Sequence, residues 1–209
     1  MSLALALGWA ATTCVIGLHL PQVWRTCVRG LTAGVPSARA WVAMAVSVVW
    51  LGYGLYGGGV VQVVLNGTTL VLNAALLVRL LPGRGLRPAL GGALLVLLSV
   101  LAVVGLGEGS GLVAVGVLGA VAGTVVYLPQ LLALRRALAV DGVSPVSLWL
   151  QGCSGSCWLG YGLLRHEAVV WSPNVFVLVT TAWSLAVLRR RTAVPGLGAP
   201  RVREAALLG

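Results

Sequence analysis

The hexapeptide WLGYGL occurs twice, at Trp50–Leu55 and at Trp158–Leu163, and the two copies lie 108 positions apart. The same offset, without a gap, aligns Leu20-Pro21-Gln22 with Leu128-Pro129-Gln130, Gly34-Val35 with Gly142-Val143, Trp41 with Trp149, and Asn66 with Asn174. Short apolar strings recur easily in an apolar chain, but Pro-Gln, Trp and Asn do not recur easily in one frame. The sequence therefore contains an internal duplication.

The composition around the repeats is that of a membrane protein. Of 209 residues, 59% are hydrophobic and 9% are charged, whereas a soluble domain carries about 25% charged residues. A helix needs about 20 apolar residues to cross the hydrocarbon layer. Seven stretches qualify: Leu3–Val23, Arg39–Tyr56, Val60–Leu80, Pro88–Leu106, Gly111–Leu134, Pro145–Leu164 and Ala168–Leu188.

The repeat and the helix count together predict an all-α membrane protein with a 3+1+3 layout. Two three-helix repeats would occupy residues 1–82 and 111–190, with a linker helix in 83–110 and a flexible cytoplasmic tail in 191–209. A three-helix unit ends on the side opposite its start, so one extra crossing lets the second unit begin on the same side. The units are therefore expected to be parallel, related by an axis along the membrane normal.

The net charge of +10 comes from 14 basic residues, all of them arginine, against four acids. Nucleic-acid binding would need a basic stripe on a polar surface, and these arginines instead lie between apolar runs. With seven alternating helices, Arg165 is the one arginine that falls on the opposite side from the rest. This asymmetry predicts a multi-pass protein of the cell membrane with its N-terminus outside and its C-terminus in the cytoplasm.

The cysteines and the N-terminal segment do not indicate another class of protein. Cys14, Cys27, Cys153 and Cys157 form no Cys-x-x-Cys pair and have no neighbouring acid or His set, so small packing residues are expected rather than a metal site. The N-terminal segment lacks a basic n-region and is interpreted as a first membrane helix, not a signal peptide. We find no catalytic Ser/His/Asp set, metal cluster or phosphate loop, and predict no enzyme activity and no cofactor.

Two in-register Pro-Gln pairs, the 3+1+3 layout and the N-out topology resemble PQ-loop proteins, and within them the SWEET and SemiSWEET sugar transporters. The resemblance runs from Leu3 to Leu188. It implies that Trp50, Asn66, Trp158 and Asn174 form a pocket for a small neutral solute. A carboxamide can bind a sugar hydroxyl, and an indole packs on the apolar face of a pyranose. The alternative is Asn as contact between helices and Trp as packing or an interfacial anchor.

The prolines suggest hinges. Pro21 and Pro129 interrupt the helical hydrogen bonding near the cytoplasmic ends of the first and fifth predicted helices, and Gln22 and Gln130 could bond the carbonyls freed there. Pro36 and Pro145 lie near the starts of the second and sixth helices. The family has a similar set of four prolines around an inner gate. The alternative is that these prolines only occupy tolerated helix ends.

A group at the outer end of the sixth helix resembles the outer gate of single-repeat bacterial relatives. It consists of Tyr161, Arg165 and Glu167. The first half supplies Tyr53 but has glycine at the positions of the two charged residues, so the charged part of any gate would be one-sided. The alternative is a surface ion pair of little energetic value.

No carboxylate falls in the middle of a predicted helix, whereas proton-driven transporters use such residues. We therefore predict facilitated diffusion of a mono- or disaccharide by alternating access. Two alternatives remain open: a proton-coupled carrier of an amino acid or other metabolite, and a non-transporting receptor of the same layout. The expected partners are the solute and the lipid bilayer; one chain suffices for a pathway, and oligomerisation is not required.

Overall fold

The computed structural model describes residues 2–32, 35–82, 85–107, 111–125 and 145–192, and most of these residues are helical. The seven α-helices in these ranges are α1 (Leu3–Val23), α2 (Ser37–Tyr56), α3 (Val60–Leu80), α4 (Leu86–Leu106), α5 (Gly111–Val125), α6 (Pro145–Leu164) and α7 (Ala168–Thr192). None of the described ranges contains a β-strand. The predicted all-α class is confirmed; the predicted extension of α5 to Leu134 lies outside the described residues.

The helices have the length and apolarity of membrane spans. Five of them, α1 to α4 and α7, are long and apolar enough to cross a bilayer. The helix α6 is 20 residues long but carries several polar side chains. One of these, Gln151, donates from Nε2 to Thr181 Oγ1 on α7 at 2.9 Å, which satisfies a polar group that hydrocarbon cannot. The chain is a multi-pass membrane protein.

The helix contacts follow the duplication. We call α1–α3 the first unit and α5–α7 the second unit. Within each unit the third helix packs against both of the others, and between the units α1 packs along α6 and α2 packs along α5. Exchanging the two units converts each of these contacts into another one in the set. The two halves therefore meet along two equivalent seams, α1–α6 and α2–α5.

The turns that join the last two helices of each unit also share one geometry. Gly58 in the α2–α3 turn has φ 68° and His166, 108 positions later, has φ 56°. In each turn the next residue donates its backbone N–H at 2.8 Å to the carbonyl five positions earlier, Gly54 or Gly162. A positive φ is uncommon for a residue other than glycine, so the fold imposes it on His166. The bundle end that carries residues 57–59 and 165–167 is called the turn end below.

The fourth helix breaks the symmetry because it packs mainly against α2 and much less against α5. A Cβ on Gly92 would lie 2.2 Å from the ring of Trp41, so the absence of a side chain at Gly92 lets α4 approach α2 closely. Trp41 is half-buried as a result. Its repeat equivalent Trp149 is 59% exposed. The linker helix thus packs mainly on the first unit.

Candidate functional site

The repeated hexapeptide places the same aromatic pair in each unit. Trp50 and Tyr53 meet edge to face with ring centroids 5.6 Å apart and an interplanar angle of 80°. Trp158 and Tyr161 do the same at 5.3 Å and 78°. The members of each pair are three residues apart on one helix, so they lie on one face. The sequence repeat is therefore also a repeat of side-chain geometry, directed toward the junction of the two units.

Each of the two tyrosines hydrogen-bonds to the opposite unit. The Tyr161 hydroxyl donates to Gln62 Oε1 on α3 at 3.1 Å, and Tyr161 is only 1% exposed. The Tyr53 hydroxyl donates to Glu167 Oε2 at 3.3 Å. We call these two bonds the crossed latch. Both lie at the turn end and both join the first unit to the second.

An ion pair holds the acidic acceptor of the crossed latch in place. Arg165 Nε donates to Glu167 Oε1 at 2.6 Å, and the guanidinium carbon lies 5.7 Å from the centroid of the Tyr161 ring. The hydrogen bond to Glu167 raises the pKa of Arg165 above its ordinary value. The pair is linked through Glu167 to Tyr53 and through the guanidinium to Tyr161. It is thus more than an isolated surface contact, although Arg165 itself is exposed.

The packing around the crossed latch is apolar and tight. A Cβ on Gly8 would lie 3.0 Å from the Tyr161 ring, and one on Gly116 would lie 2.9 Å from the Tyr53 ring. These two glycines occupy equivalent positions of the repeat, on α1 and α5. The tyrosines belong to a buried cluster that also contains Ala11, Val49, Val61, Leu65, Val103, Val115, Trp158 and Val170. The structure is therefore closed between the units at the turn end.

The predicted pocket asparagines have matching environments. Asn66 Nδ2 donates to the Gln62 carbonyl at 2.8 Å, and Asn174 Nδ2 donates to the Val170 carbonyl at 2.7 Å. Gln62 and Val170 are themselves repeat equivalents. Among the described residues neither carboxamide oxygen accepts a hydrogen bond. Both asparagines bond within their own helix, so neither acts as a polar contact between helices.

Asn73, one turn further along α3 from Thr69, forms the same kind of bond. Its Nδ2 donates to the Thr69 carbonyl at 2.8 Å, and its side chain is buried. This hydrogen bond lies within α3 and does not join two helices. The repeat equivalent of Asn73 is Thr181, so the second unit has no matching asparagine at this position. Asn73 can therefore serve as a comparison residue for Asn66 and Asn174, because it forms the same bond within its own helix.

The first Pro-Gln pair lies where the helix geometry changes. Pro21 is inside α1, and from Trp24 to Val28 the chain continues as a π-helix. Such segments and prolines are the usual causes of kinks in helices. Within the described part of the chain, no hydrogen bond of the Gln22 side chain is found, so the expected bond to a freed carbonyl does not form there. Pro129 and Gln130 lie outside the described residues.

The second pair of prolines marks helix starts. Pro36 is the N-cap of α2 in an extended conformation, with φ −75° and ψ 126°. Pro145 is the first residue of α6. Both positions suit proline, because the first turn of a helix needs no N–H donor. These placements agree with the tolerated-end alternative and leave the hinge role for this pair as a hypothesis.

A groove of about 390 Å³ lies between α6 and α7. It is lined by Leu148, Trp149, Gly152, Cys153, Ser156, Leu178, Thr181, Ala182 and Leu185. None of the four predicted pocket residues contributes to it. The groove is thus distinct from the Trp and Asn positions, which lie on the helices that meet between the units.

Sequence reasoning missed Gln62. Its repeat equivalent is Val170, so the duplication does not draw attention to it. A signal was nevertheless present, because a glutamine inside an apolar helix must find a hydrogen-bond partner. The four residues of the predicted gate, Tyr53, Tyr161, Arg165 and Glu167, are brought together by the fold, and Gln62 joins them.

Comparison with known proteins agrees with this architecture. Residues 112–171 match the family model described as PQ loop repeat. No curated protein matches the chain significantly. The 3.7 Å structure of a eukaryotic SWEET transporter superimposes with a TM-score of 0.77 at 17% sequence identity, over 92% of this chain and 98% of that one. The predicted PQ-loop resemblance is confirmed, and the chain has the fold of a SWEET transporter.

Proposed function

We propose that this protein is a facilitative transporter, a uniporter without enzymatic activity, that carries a small neutral solute across the cell membrane by alternating access. The solute is a mono- or disaccharide. The observation that carries the proposal is the pair of equivalent units that meet along two seams and are joined at one end by reciprocal hydrogen bonds. Two equivalent units with a closable end are what an alternating-access pathway requires. A solved structure with this fold is that of a SWEET transporter.

The chemistry of the pocket residues supports a neutral, hydroxylated solute. Trp50, Asn66, Trp158 and Asn174 provide indole faces and carboxamides, and none of them carries a charge. Each asparagine uses one N–H within its own helix, which leaves its oxygen and second N–H for a ligand. Hydroxyl groups of a sugar both donate and accept, so they suit a carboxamide.

We assign the gating elements from the contacts at the turn end and from the two Pro-Gln positions in the sequence. The crossed latch at the turn end forms the outer gate, with the N-terminus outside and the C-terminus in the cytoplasm. Pro21, next to the π-helix, is the hinge of the first unit, and Pro129 is its counterpart in the second. The repeats are residues 1–82 and 111–190, with the linker helix in 83–110. One chain contains a complete pathway.

Uncoupled transport is supported by the position of the acids. Glu167 is the acid within the described residues, and it lies in the turn between α6 and α7, not at membrane depth. The remaining acids fall at positions 108, 141 and 204, outside the predicted spans. A proton-driven carrier would need a titratable group in the middle of the pathway.

The test is uptake by proteoliposomes of a panel of radiolabelled saccharides and amino acids, with and without an imposed pH gradient. We expect a saccharide to equilibrate across the membrane at a rate that the gradient does not change. Liposomes with the Asn66→Ala/Asn174→Ala protein at equal density are the matched control. Accumulation driven by the pH gradient would establish a proton-coupled carrier, and no flux of any solute would favour a receptor; either result overturns the proposal.

A further inference from the structure

Three of the four cysteines gather at the seam between α1 and α6. Cys14 lies on α1, and Cys153 and Cys157 lie on α6. Cys157 packs against the buried cluster that closes the turn end. The fourth cysteine, Cys27, is elsewhere, with its Sγ 3.6 Å from the Ala75 carbonyl on α3. The three seam cysteines are free thiols, and transport as proposed above makes no use of them.

The register of the seam sets Cys14 opposite Cys153. The Leu7 side chain covers Gly160, with Leu7 Cδ1 2.9 Å from the Cβ position of that glycine. Further along the seam, Ser154 Oγ donates to the Ala11 carbonyl at 3.4 Å. From the first contact to the second, the residue number rises on α1 and falls on α6, so the two helices are antiparallel. Cys14 lies two helical turns after Leu7 on α1, and Cys153 lies two helical turns before Gly160 on α6. The two cysteines are therefore opposite each other in the seam.

The side-chain contacts agree with this register. The thiols of Cys14 and Cys153 are close enough across the seam to interact electrostatically. The Cys157 thiol, one turn away on α6, also interacts with Cys153. Cys153 therefore interacts with each of the other two thiols. The Cys14–Cys153 contact joins different units, whereas the Cys153–Cys157 contact is within one helix.

The other seam shows that the fold does not need sulfur at these positions. The repeat equivalents of Cys14, Cys153 and Cys157 are Ala122, Ala45 and Val49. The α2–α5 seam thus forms with alanine and valine where the α1–α6 seam has thiols. The cysteines add a chemistry to one seam that packing alone does not require.

A reagent can reach the seam through the groove between α6 and α7. Cys153 is exposed and lines this groove of about 390 Å³, whereas Cys14 and Cys157 are half-buried. Hydrogen peroxide is small and uncharged, so it can enter such an opening. Cys153 is therefore the thiol that an oxidant meets first, because exposure governs the susceptibility of a cysteine to oxidation.

We propose that Cys14 and Cys153 form a reversible disulfide bond on oxidation by a peroxide. The Cys153 sulfur attacks one peroxide oxygen, the O–O bond breaks, and Cys153 becomes a sulfenic acid with release of one water. The Cys14 thiol then attacks the sulfenic sulfur, the S–S bond forms, and the sulfenic oxygen leaves as a second water. The two cysteines lose two electrons and two protons in total, and one hydrogen peroxide is reduced to two waters.

The bond would join α1 of the first unit to α6 of the second. Because alternating access moves the units relative to each other, a covalent link across the seam stops that movement. This consequence rests on the proposed transport function, whereas formation of the bond does not. The disulfide is thus a switch that turns transport off under oxidation and restores it on reduction.

The purified full-length protein in liposomes is treated with hydrogen peroxide, remaining thiols are alkylated, and the linked peptides are identified by mass spectrometry. We expect a Cys14–Cys153 link in the wild type, its loss in Cys14→Ser and in Cys153→Ser, and its retention in the control Cys27→Ser. Absence of a link in the wild type, or a link that joins Cys14 to Cys157 or Cys27 instead, overturns the assignment.

Saccharide uptake by the same samples tests the consequence. We expect uptake to fall in proportion to the cross-linked fraction, to recover with dithiothreitol, and to be unaffected by peroxide in Cys14→Ser. Full uptake by cross-linked protein would overturn the switch while leaving the disulfide established. Failure of the proposed function looks different, because the unoxidised wild type would then transport nothing although the link still forms.

Discussion

The hydroxyl of Tyr161 on α6 donates to Gln62 Oε1 on α3 at 3.1 Å, and both side chains are buried at the junction of the two units. The residues are 99 positions apart in sequence. Tyr53 forms the reciprocal contact with Glu167 at 3.3 Å. One of these bonds has a neutral acceptor and the other a carboxylate. The two units are equivalent in their helices, but the hydrogen bonds that join them are not equivalent.

Removing one partner of the buried Tyr161–Gln62 bond should destabilise the closed structure. Tyr161→Phe and Gln62→Leu each leave a buried polar group unpaired, which costs about 1–3 kcal/mol. The melting temperature in detergent should therefore fall in each single variant. In the double variant it should fall by less than the sum of the two, because both polar groups are gone. Strict additivity of the two effects would contradict a direct bond.

The asparagines of the proposed pocket should be required for uptake. Asn66→Ala and Asn174→Ala should each abolish saccharide uptake without reducing membrane insertion. Asn73→Ala is the matched control, because Asn73 is a buried asparagine with the same bond to its own helix; it should retain uptake. Uptake at the wild-type rate by Asn174→Ala would refute the pocket assignment.

Helix α4 should tolerate a side chain at one glycine and not at its neighbour. Gly92→Ala would place its Cβ 2.2 Å from the Trp41 ring, and overpacking of this kind costs about 1–3 kcal/mol. At Gly91 there is no atom within 4 Å of a Cβ, and alanine favours a helix over glycine. The melting temperature should fall for Gly92→Ala and stay level or rise for Gly91→Ala. Equal effects would show that α4 does not pack on Trp41.

A hinge at Pro21 should affect the rate of transport rather than solute affinity. Pro21→Ala restores a backbone N–H just before the π-helix, which favours a straight α-helix through this region. The maximal uptake rate should fall while the KM changes little. Pro82→Ala is the control, since Pro82 is exposed and outside the helices. An unchanged maximal uptake rate in Pro21→Ala would contradict the hypothesis of a hinge at Pro21.

The contribution of Arg165 to stability should not depend on pH in the neutral range. Its pKa is raised in the folded protein by the hydrogen bond to Glu167. A raised pKa gives stability that is fully present below the unfolded-state value and is lost as pH rises through the folded-state value. Since the ordinary pKa of arginine already lies far above neutrality, this loss occurs only in strongly alkaline solution.

The Arg165→Gln variant measures that contribution. Its melting temperature should be slightly lower than that of the wild type, since an exposed ion pair contributes about 0–1 kcal/mol. The difference should be the same at about pH 7 and about pH 9. A difference that disappears by pH 9 would mean that Arg165 is not the group that holds Glu167.

Much of the architecture could be predicted because a bilayer imposes a length on each apolar segment. The described start of α2 differs from its predicted start by two residues, Ser37 instead of Arg39, and α1 agrees at both ends. The resemblance to single-repeat relatives indicated the charged pair of the turn end, and the repeat indicated the tyrosines. It could not pair them, because an offset relates equivalent residues and does not indicate which residues of opposite units touch. Gln62 was missed because its repeat equivalent is Val170, so the duplication does not mark it.

The sequence by itself determined the seven-helix class, the duplication and the arginine asymmetry, since each depends on composition or on spacing along the chain. The tertiary structure alone decided that Tyr161 bonds to Gln62, that Tyr53 bonds to Glu167, and that Cys14 faces Cys153 across the α1–α6 seam. These contacts depend on the rotation and register of helices far apart in sequence. In that register, glycines such as Gly8 and Gly116 pack against the tyrosine rings. No local sequence pattern encodes the register.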